Sequence, residues 1–164
     1  MLLRRRSVMV KNAEPPLPPL ANNIIIYRAP EKLTETTVDD SAGLHTNAFG
    51  DAVVVSHTFE NGQGIIVFSE DVTIIGRSAF RSCTNMTSVY IPSSVTSIEA
   101  WALAYCSYLT NITCTPIQPP TLGSYPFYGN RSGRKIYVPS GSVQSYKNAS
   151  DWSAYSGAIE AIPT

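Results

Sequence analysis

The chain has 164 residues, of which 43% are hydrophobic and 15% are charged, a composition typical of one folded domain with a modest core and not of a disordered protein. Twelve basic and twelve acidic residues give a formal net charge of zero, so we expect no general attraction to nucleic acid. No apolar run approaches the length of about 18 residues that a membrane-spanning helix needs, so no transmembrane segment is predicted.

The first segment, residues 1–21, is predicted to be an extended arm. It has a basic beginning and then the stretch "EPPLPPL", whose prolines favour polyproline II and prevent the packing of a core. Its apolar run "SVMV" is shorter than the core of a signal peptide, about 7 to 15 residues, so we expect no conventional signal peptide. The arm suits docking onto a neighbour, such as a second copy or a capsid or fibre subunit, and its candidate docking residues are Arg4, Arg5, Arg6, Pro15, Pro16, Pro18 and Pro19.

Residues 22–70 are predicted to form an N-terminal β cap. The run Ile24-Ile25-Ile26-Tyr27 indicates a strand, and a loop-rich stretch follows it. Further on, "VVVSHTF" and "GIIVF" flank Asn61-Gly62, which accommodates the positive φ of a tight turn and predicts a β-hairpin. We expect this hairpin to cover the open end of the segment that follows.

Residues 71–139 contain an internal repeat. The stretch "VTIIGRSAFRSCTNMTSVYIPSS", residues 72–94, is echoed by "VTSIEAWALAYCSYLTNITCTPI", residues 95–117, and a third copy lies at an offset of 47 from the first. A period of 20 to 29 residues with apolar residues at fixed phases is typical of a leucine-rich-repeat solenoid, in which each unit buries its apolar face only by stacking on a neighbour. The strand positions are spaced by 23, 23 and 24 residues, which also puts the hairpin strand beside the first repeat strand: Ile66, Val89, Ile112 and Ile136.

The repeat motif resembles the BspA-like leucine-rich repeat family, whose unit reads roughly V-x-x-I-G-x-x-A-F-x-x-C-x-x-L-x-x-I-x-I-P. The resemblance covers about residues 22–163. The stretches "PPTLGSYPFYG" and "IYVPSGSVQSYKNASDWSAYSGAIEAI" look like the final unit and the C-terminal cap of short members, and "NNIIIY" with "HTFENGQGIIVFSEDVTIIG" looks like their N-terminal cap. Glu99 stands where the repeat has glycine, so we expect the second unit to turn differently, since glycine serves positive φ more easily. The resemblance implies adhesion or recognition at a bacterial cell surface or outside the cell, with host proteins, glycans or other cells as partners.

Residues 140–164 are predicted to form a small helical cap that closes the C-terminal end of the repeats. Ser142 is placed to N-cap a helix from Val143 to about Ala149. After the helix, four apolar side chains are available to seal the end: Trp152, Tyr155, Ile159 and Ile162. The predicted fold is therefore a β-rich solenoid between a β-hairpin cap and a helical cap.

The cysteines and histidines give little sign of chemistry. Cys83 and Cys106 occupy the same phase of adjacent units, so they are expected about 5 Å apart, close enough for a disulfide. We favour two reduced core thiols, because free cysteine is among the most buried residue types. His45 and His57 lie in no catalytic or metal-binding motif. We expect no enzymatic activity, no cofactor and no metal.

The exposed face of the repeat strands is the predicted binding surface. Period-two alternation turns Tyr90, Thr113 and Tyr137 outward, in a column headed by Val67. Tyrosine on a rigid strand offers a large amphipathic contact, which suits recognition of a protein or glycan surface, although single exposed aromatics also occur without any role. The preceding outward-facing position of each strand, two residues earlier, is occupied by Ser88, Asn111 and Lys135.

Two functions follow as hypotheses. The first is a non-enzymatic binding or adhesion module that displays its solenoid face at a cell or particle surface. The second is a structural component of a larger assembly, such as a phage virion decoration or fibre protein, docked through the arm of residues 1–21. Deletion of the arm separates the two, because only the second needs it.

Overall fold

The computed structural model describes residues 21–36 and 43–164. The arm residues proposed for docking, Arg4 to Arg6 and Pro15 to Pro19, lie outside the described residues. Twelve strands and one α-helix make up the described part, together with two short 3-10 helices. The strands are β1 (Ile24–Arg28), β2 (Glu35–Thr36), β3 (Leu44–His45), β4 (Val54–Glu60), β5 (Gln63–Phe68), β6 (Ile74–Ile75), β7 (Ser88–Ile91), β8 (Ser97–Ile98), β9 (Asn111–Cys114), β10 (Thr121–Leu122), β11 (Lys135–Val138) and β12 (Ile159–Ala161).

The main sheet within the described residues has seven strands in the order β12-β11-β9-β7-β1-β5-β4. A second sheet contains β10, β8 and β6, and β2 pairs with β3 near the N-terminal end. The core lies between the two larger sheets, because the strands of the main sheet turn alternate side chains toward it.

The predicted hairpin is confirmed. Strands β4 and β5 pair in antiparallel fashion with Glu60 opposite Gln63. Asn61 and Gly62 connect them with φ values of 50° and 77°, so both central residues of the turn have positive φ. Two such residues make the type I′ turn, whose twist matches that of the strands it joins.

The hairpin does not lie directly beside the first repeat strand, so that prediction is wrong. Strand β1 lies between β5 and β7 and is antiparallel to both, with Ile26 opposite Ile65 on one side and Tyr90 on the other. Strand β5 therefore runs in the same direction as β7, as the 23-residue spacing implies, but one place further away. The spacing cannot reveal β1, because β1 belongs to no repeat. Its backbone groups form hydrogen bonds with the edge of β5 on one side and with the edge of β7 on the other.

The repeat units themselves follow the predicted register. Strands β7, β9 and β11 are parallel, with Val89 opposite Ile112 and Ile112 opposite Ile136, and all three of these side chains are buried. Strands β6, β8 and β10 form a second parallel ladder from the same units. The described chain thus has a β-rich repeat fold.

The loops that return each unit to the main sheet are also joined by backbone hydrogen bonds. The amides of Ser78, Phe80 and Ser82 donate to carbonyls of the next unit over distances of 3.1, 2.7 and 2.8 Å. The same pattern continues from the second unit to the third. The loops are therefore a third connected face of the repeats and not loose connections.

The three cysteines are buried and their thiols are free. The sulfur of Cys106 donates a hydrogen bond to the carbonyl of Phe80 at 3.1 Å. The predicted core position of Cys83 and Cys106 is confirmed.

Positive φ is not the reason for glycine in the repeat, so that prediction is wrong. Gly76 and Gly123 do not lie in the left-handed region; a Cβ added at either would come within 2.5 Å of the backbone, at the carbonyl oxygen of Ala48 and the amide nitrogen of Ala100 respectively. Glycine is therefore needed there for close approach. Glu99, at the same phase, turns its carboxylate back to accept a hydrogen bond from the Arg77 amide at 2.9 Å.

The C-terminal cap contains helix α1 (Val143–Asn148), close to the predicted range, between two 3-10 helices, Ser140–Ser142 and Ser153–Ala158. The prediction that Ser142 caps the helix through its side chain is wrong, because that side chain makes no capping hydrogen bond. Its φ and ψ of −104° and −7° continue the preceding turn, whereas a capping residue has extended backbone. Trp152 and Ile159 are buried at the end of the repeats as expected, while Tyr155 and Ile162 are partly exposed.

Candidate binding surfaces

The outer face of the main sheet carries a row of side chains from strand to strand. Cα pairing links one residue from each of the seven strands, and we call this set the outer row: Thr58, Ile65, Ile26, Tyr90, Thr113, Tyr137 and Glu160. The predicted outward direction of its tyrosines and threonine agrees with the burial pattern, in which the neighbours along each strand are buried. Val67 does not head this row, because it pairs with Ile24 and lies one row away. The insertion of β1 puts Ile26 beside Tyr90 instead.

The centre of the outer row is apolar. Ile26 is only 7% exposed although it lies on the outer face, since Ile65 and Tyr90 are its neighbours on both sides. Thr113 separates Tyr90 from Tyr137. The row therefore joins a small apolar centre to two partly exposed phenol groups.

A polar row runs beside the outer row. Arg28 pairs with both Gln63 and Ser88, and the row continues through Asn111 to Lys135. The Lys135 ammonium forms an ion pair with Glu160, and this contact raises the pKa of Lys135. The predicted flanking residues thus lie together on one side of the predicted tyrosines.

At the hairpin end, the two rows border a depression of about 360 Å³. It is lined by Arg28, Thr58, Glu60, Asn61, Gln63 and Ile65. Its lining contains the opposite charges of Arg28 and Glu60 and one apolar side chain, Ile65. The depression therefore adds charged and polar groups to the outer face of the main sheet.

A second exposed surface, which the sequence did not predict, lies on the returning loops. Four aromatic side chains from two adjacent units meet there, and we call them the aromatic cluster: Trp101, Tyr105, Tyr125 and Tyr128. Tyr105, Tyr125 and Tyr128 are 39%, 58% and 52% exposed. The Arg81 guanidinium lies 5.8 Å from the Trp101 ring centroid and 5.7 Å from that of Tyr105, within the range of cation–π contacts.

Three members of the aromatic cluster have a backbone conformation that bulky residues rarely adopt. Trp101, Tyr105 and Tyr125 have φ values of 60°, 59° and 56°. In the first unit the equivalent positions are Ser78 and Ser82, which have the same conformation. A signal was therefore present in the sequence: small polar residues of the first unit become aromatic in later units at the same phase.

The two histidines lie on strands β3 and β4, and the buried side chain of His57 takes part in a hydrogen-bond network. Its Nδ1 lies 2.7 Å from a Glu35 carboxylate oxygen, and its Nε2 lies 2.7 Å from the Tyr27 hydroxyl oxygen. The Glu35 carboxylate can only accept, so Nδ1–H donates to it, and in the neutral imidazole Nε2 then accepts from the Tyr27 hydroxyl. The oxygen of that hydroxyl also accepts the Leu33 amide at 3.0 Å. Burial lowers the pKa of His57 and raises that of Tyr27, which is buried completely. Such a network holds β1 to β4 and leaves no room for a substrate at the hydroxyl.

Within residues 21–36 and 43–164, no group of three or more histidine, cysteine, aspartate or glutamate side chains could hold a metal ion. No helix in the same part of the chain is long and apolar enough to cross a membrane.

The model of the BspA type leucine rich repeat region matches residues 54–151 with six copies of the repeat. The match covers well over half of the chain and extends from the hairpin into the C-terminal cap. None of the curated proteins compared with the chain is similar enough to count as a relative.

Proposed function

Because the chain belongs to the BspA-type leucine-rich repeat family, we propose that it is a non-enzymatic binding module that recognises a protein surface through the outer row. Modules of this family are typically surface-associated, and their repeats suggest binding to proteins. In this proposal the repeats form a short solenoid and the main sheet is its recognition face. The observation that carries it is the continuity of the outer row across all seven strands of the sheet.

The composition of the outer face supports a protein partner. Its centre at Ile26 and Tyr90 is apolar, and charged or amide side chains lie beside it, as in interfaces with an apolar core and a polar rim. Tyr90 and Tyr137 lie on hydrogen-bonded strands, so little backbone freedom is lost when they contact a partner.

A glycan is the other partner class for this face, and we favour it less. The rings of Tyr90 and Tyr137 are partly covered and lie two strands apart, and isoleucines offer no hydrogen bonds to sugar hydroxyls. A protein with a small apolar patch fits the centre of the row better.

The double substitution Tyr90→Ala with Tyr137→Ala tests the proposal. Fluorescently labelled chain is applied to cultured epithelial cells, to the same cells after protease treatment, and to an array of neutral and acidic glycans. We expect the chain to bind the cells and protease treatment of the cells to abolish this binding. The affinity of the double variant should fall at least about tenfold. Tenfold corresponds to about 1.4 kcal/mol of binding free energy, which is within the range that tyrosines at the centre of an interface contribute. The control is Tyr108→Ala, a 57% exposed tyrosine outside the row, which should bind normally.

Binding by the double variant at the level of the Tyr108 control would exclude the outer row as the site. Glycan-array binding lost in the double variant would keep the row but change the class of partner. Circular dichroism of each variant checks that the fold is retained.

A structural component of a larger assembly is the second candidate, supported by the basic and proline-rich sequence of residues 1–21. Its test is deletion of residues 2–21. If the shortened chain folds and binds cells but no longer enters a particle or oligomer, the arm has the assembly role. If the shortened chain has the same oligomeric state as the full chain, still enters the particle and binds cells equally well, the assembly role is excluded.

A further inference from the structure

The aromatic cluster is presented on a connected backbone. The Trp101 amide donates to the Ser124 carbonyl at 3.1 Å, and the Tyr105 amide donates to the Tyr128 carbonyl at 2.6 Å. Each bond joins one unit to the next, so the four rings keep their relative positions when the cluster is uncovered. The positive φ values of its residues, which Ser78 and Ser82 share in the first unit, belong to the repeat and fix the direction in which the aromatic side chains leave the backbone.

Tyr128 meets the other three rings of the aromatic cluster at steep angles. Tyr128 is inclined by 78° to Trp101, by 81° to Tyr105 and by 78° to Tyr125, with ring centroids 5.5 to 5.9 Å apart. Trp101 lies at 5° to Tyr105 and at 33° to Tyr125, so Tyr128 stands steeply against three rings of more similar inclination. Surfaces lined by tyrosine and tryptophan are the sites on which proline-rich segments dock in polyproline II conformation.

The chain contains a segment of this kind. Residues 14–20 read "EPPLPPL", in which Pro15 with Pro18 and Pro16 with Pro19 each form a Pro-x-x-Pro pair. We propose that this segment docks on the aromatic cluster of the same chain. Docking would place proline rings against the exposed part of Trp101, at the end of the cluster nearest to Asn22.

The length of the segment fits this path. Asn22 is fixed at the edge of the small sheet, where its carbonyl accepts the Val72 amide at 2.9 Å and its side chain accepts the Ser93 hydroxyl at 2.8 Å. From the neighbouring Ser94 the chain reaches Trp101 in seven residues, at most about 23 Å in extended conformation. Pro15 precedes Asn22 by seven residues as well, about 22 Å in polyproline II, so this end of the segment reaches Trp101. Pro18 and Pro19, about 12 and 9 Å from Asn22 in the same conformation, lie along the path to it.

Chain connection favours the segment of the same molecule over that of a second copy. A short tether gives an effective concentration on the order of millimolar, whereas a second copy in solution is present at micromolar concentration. A weak aromatic–proline contact is therefore populated within one chain and hardly at all between two.

Acrylamide quenching of tryptophan fluorescence tests the proposal in the full chain. The chain has two tryptophans, and Trp152 is buried completely, so quenching reports Trp101. Replacing the prolines at 15, 16, 18 and 19 by serine should raise the quenching constant about twofold, because more than half of the chains are docked if the dissociation constant is below the millimolar effective concentration. These substitutions lie outside the folded repeats and leave the fold intact. The control replaces Arg4, Arg5 and Arg6 by glutamine, which should change nothing.

A synthetic peptide of residues 13–22 added to the proline-to-serine variant should restore the protection, and a peptide of the same composition with the prolines dispersed should not. Equal quenching of the original chain and the proline-to-serine variant would overturn the proposal. Protection that grows with protein concentration, together with a dimer mass in light scattering, would also overturn it and would assign the segment to a second copy.

Discussion

The Tyr146 hydroxyl offers a measurable test of how the C-terminal cap closes the repeats. Tyr146 is buried completely, and its hydroxyl donates to the Pro116 carbonyl at 2.7 Å, with the Cys114 sulfur 3.6 Å from the same oxygen. Burial raises the pKa of Tyr146, so the hydroxyl stays a donor at every pH at which the protein is handled. The substitution Tyr146→Phe keeps the ring, which packs 4.9 Å from Trp152, and removes only the donor.

The expected loss of unfolding free energy follows from the Pro116 carbonyl, which Tyr146→Phe leaves without its donor. A buried acceptor without a partner costs about 1 to 3 kcal/mol, whereas loss of an exposed hydroxyl costs almost nothing. For a chain of this length, 1 kcal/mol shifts the melting temperature by about 2 to 4 °C, so we expect a fall of roughly 2 to 12 °C. Urea unfolding gives the free energy of unfolding directly, and an unchanged slope checks that only stability has changed.

The matched control is Tyr108→Phe, which makes the same chemical change at a 57% exposed tyrosine. We expect its free energy of unfolding to stay within about 0.5 kcal/mol of the original chain. If Tyr146→Phe were equally harmless, the bond to Pro116 would not stabilise the cap, and packing of the ring alone would account for its attachment.

Three further changes have outcomes that the structure determines. The substitution Gly123→Ala should cost about 1 to 3 kcal/mol or more in urea unfolding, because its Cβ would lie 2.3 Å from the Ala100 amide nitrogen; an unchanged midpoint would mean that the adjacent units separate easily. Contact with the Cys106 sulfur and burial raise the pKa of Cys83, and both thiols are buried. Iodoacetamide should therefore label Cys83 and Cys106 only after unfolding. Labelling of the folded chain, detected by mass spectrometry, would contradict their burial. Burial lowers the pKa of His57 in the folded state, so as the pH falls the unfolded state takes up the proton first. The melting temperature should therefore fall as the pH drops below about 6.5. If the melting temperature of His57→Gln fell equally, other groups would be responsible for the pH dependence.

The sequence predicts those parts of the fold that repeat. A strand position that recurs every 23 or 24 residues must pair with its copy, so the register of Val89, Ile112 and Ile136 follows from spacing alone. Strand β1 has no copy, and its place between β5 and β7 depends on pairing across a long stretch of chain that no local pattern reveals. Strand β12 escaped prediction for the same reason, since it joins β11 only after the cap has folded back.

The same reasoning explains why one binding surface was foreseen and the other was not. The outward direction of Tyr90 and Tyr137 follows from strand alternation, a local rule, and only their neighbour Ile26 depends on β1. The left-handed conformation of Trp101 and Tyr105 follows from no such rule, because hydrogen bonds between successive loops impose it on serine and tryptophan alike. At these positions the stacking fixes the backbone but leaves the side chain's space open, so residues as different as serine and tryptophan are accommodated. In this chain those positions carry aromatic rings, and it is there that differences in recognition among chains with the same repeat are expected to arise.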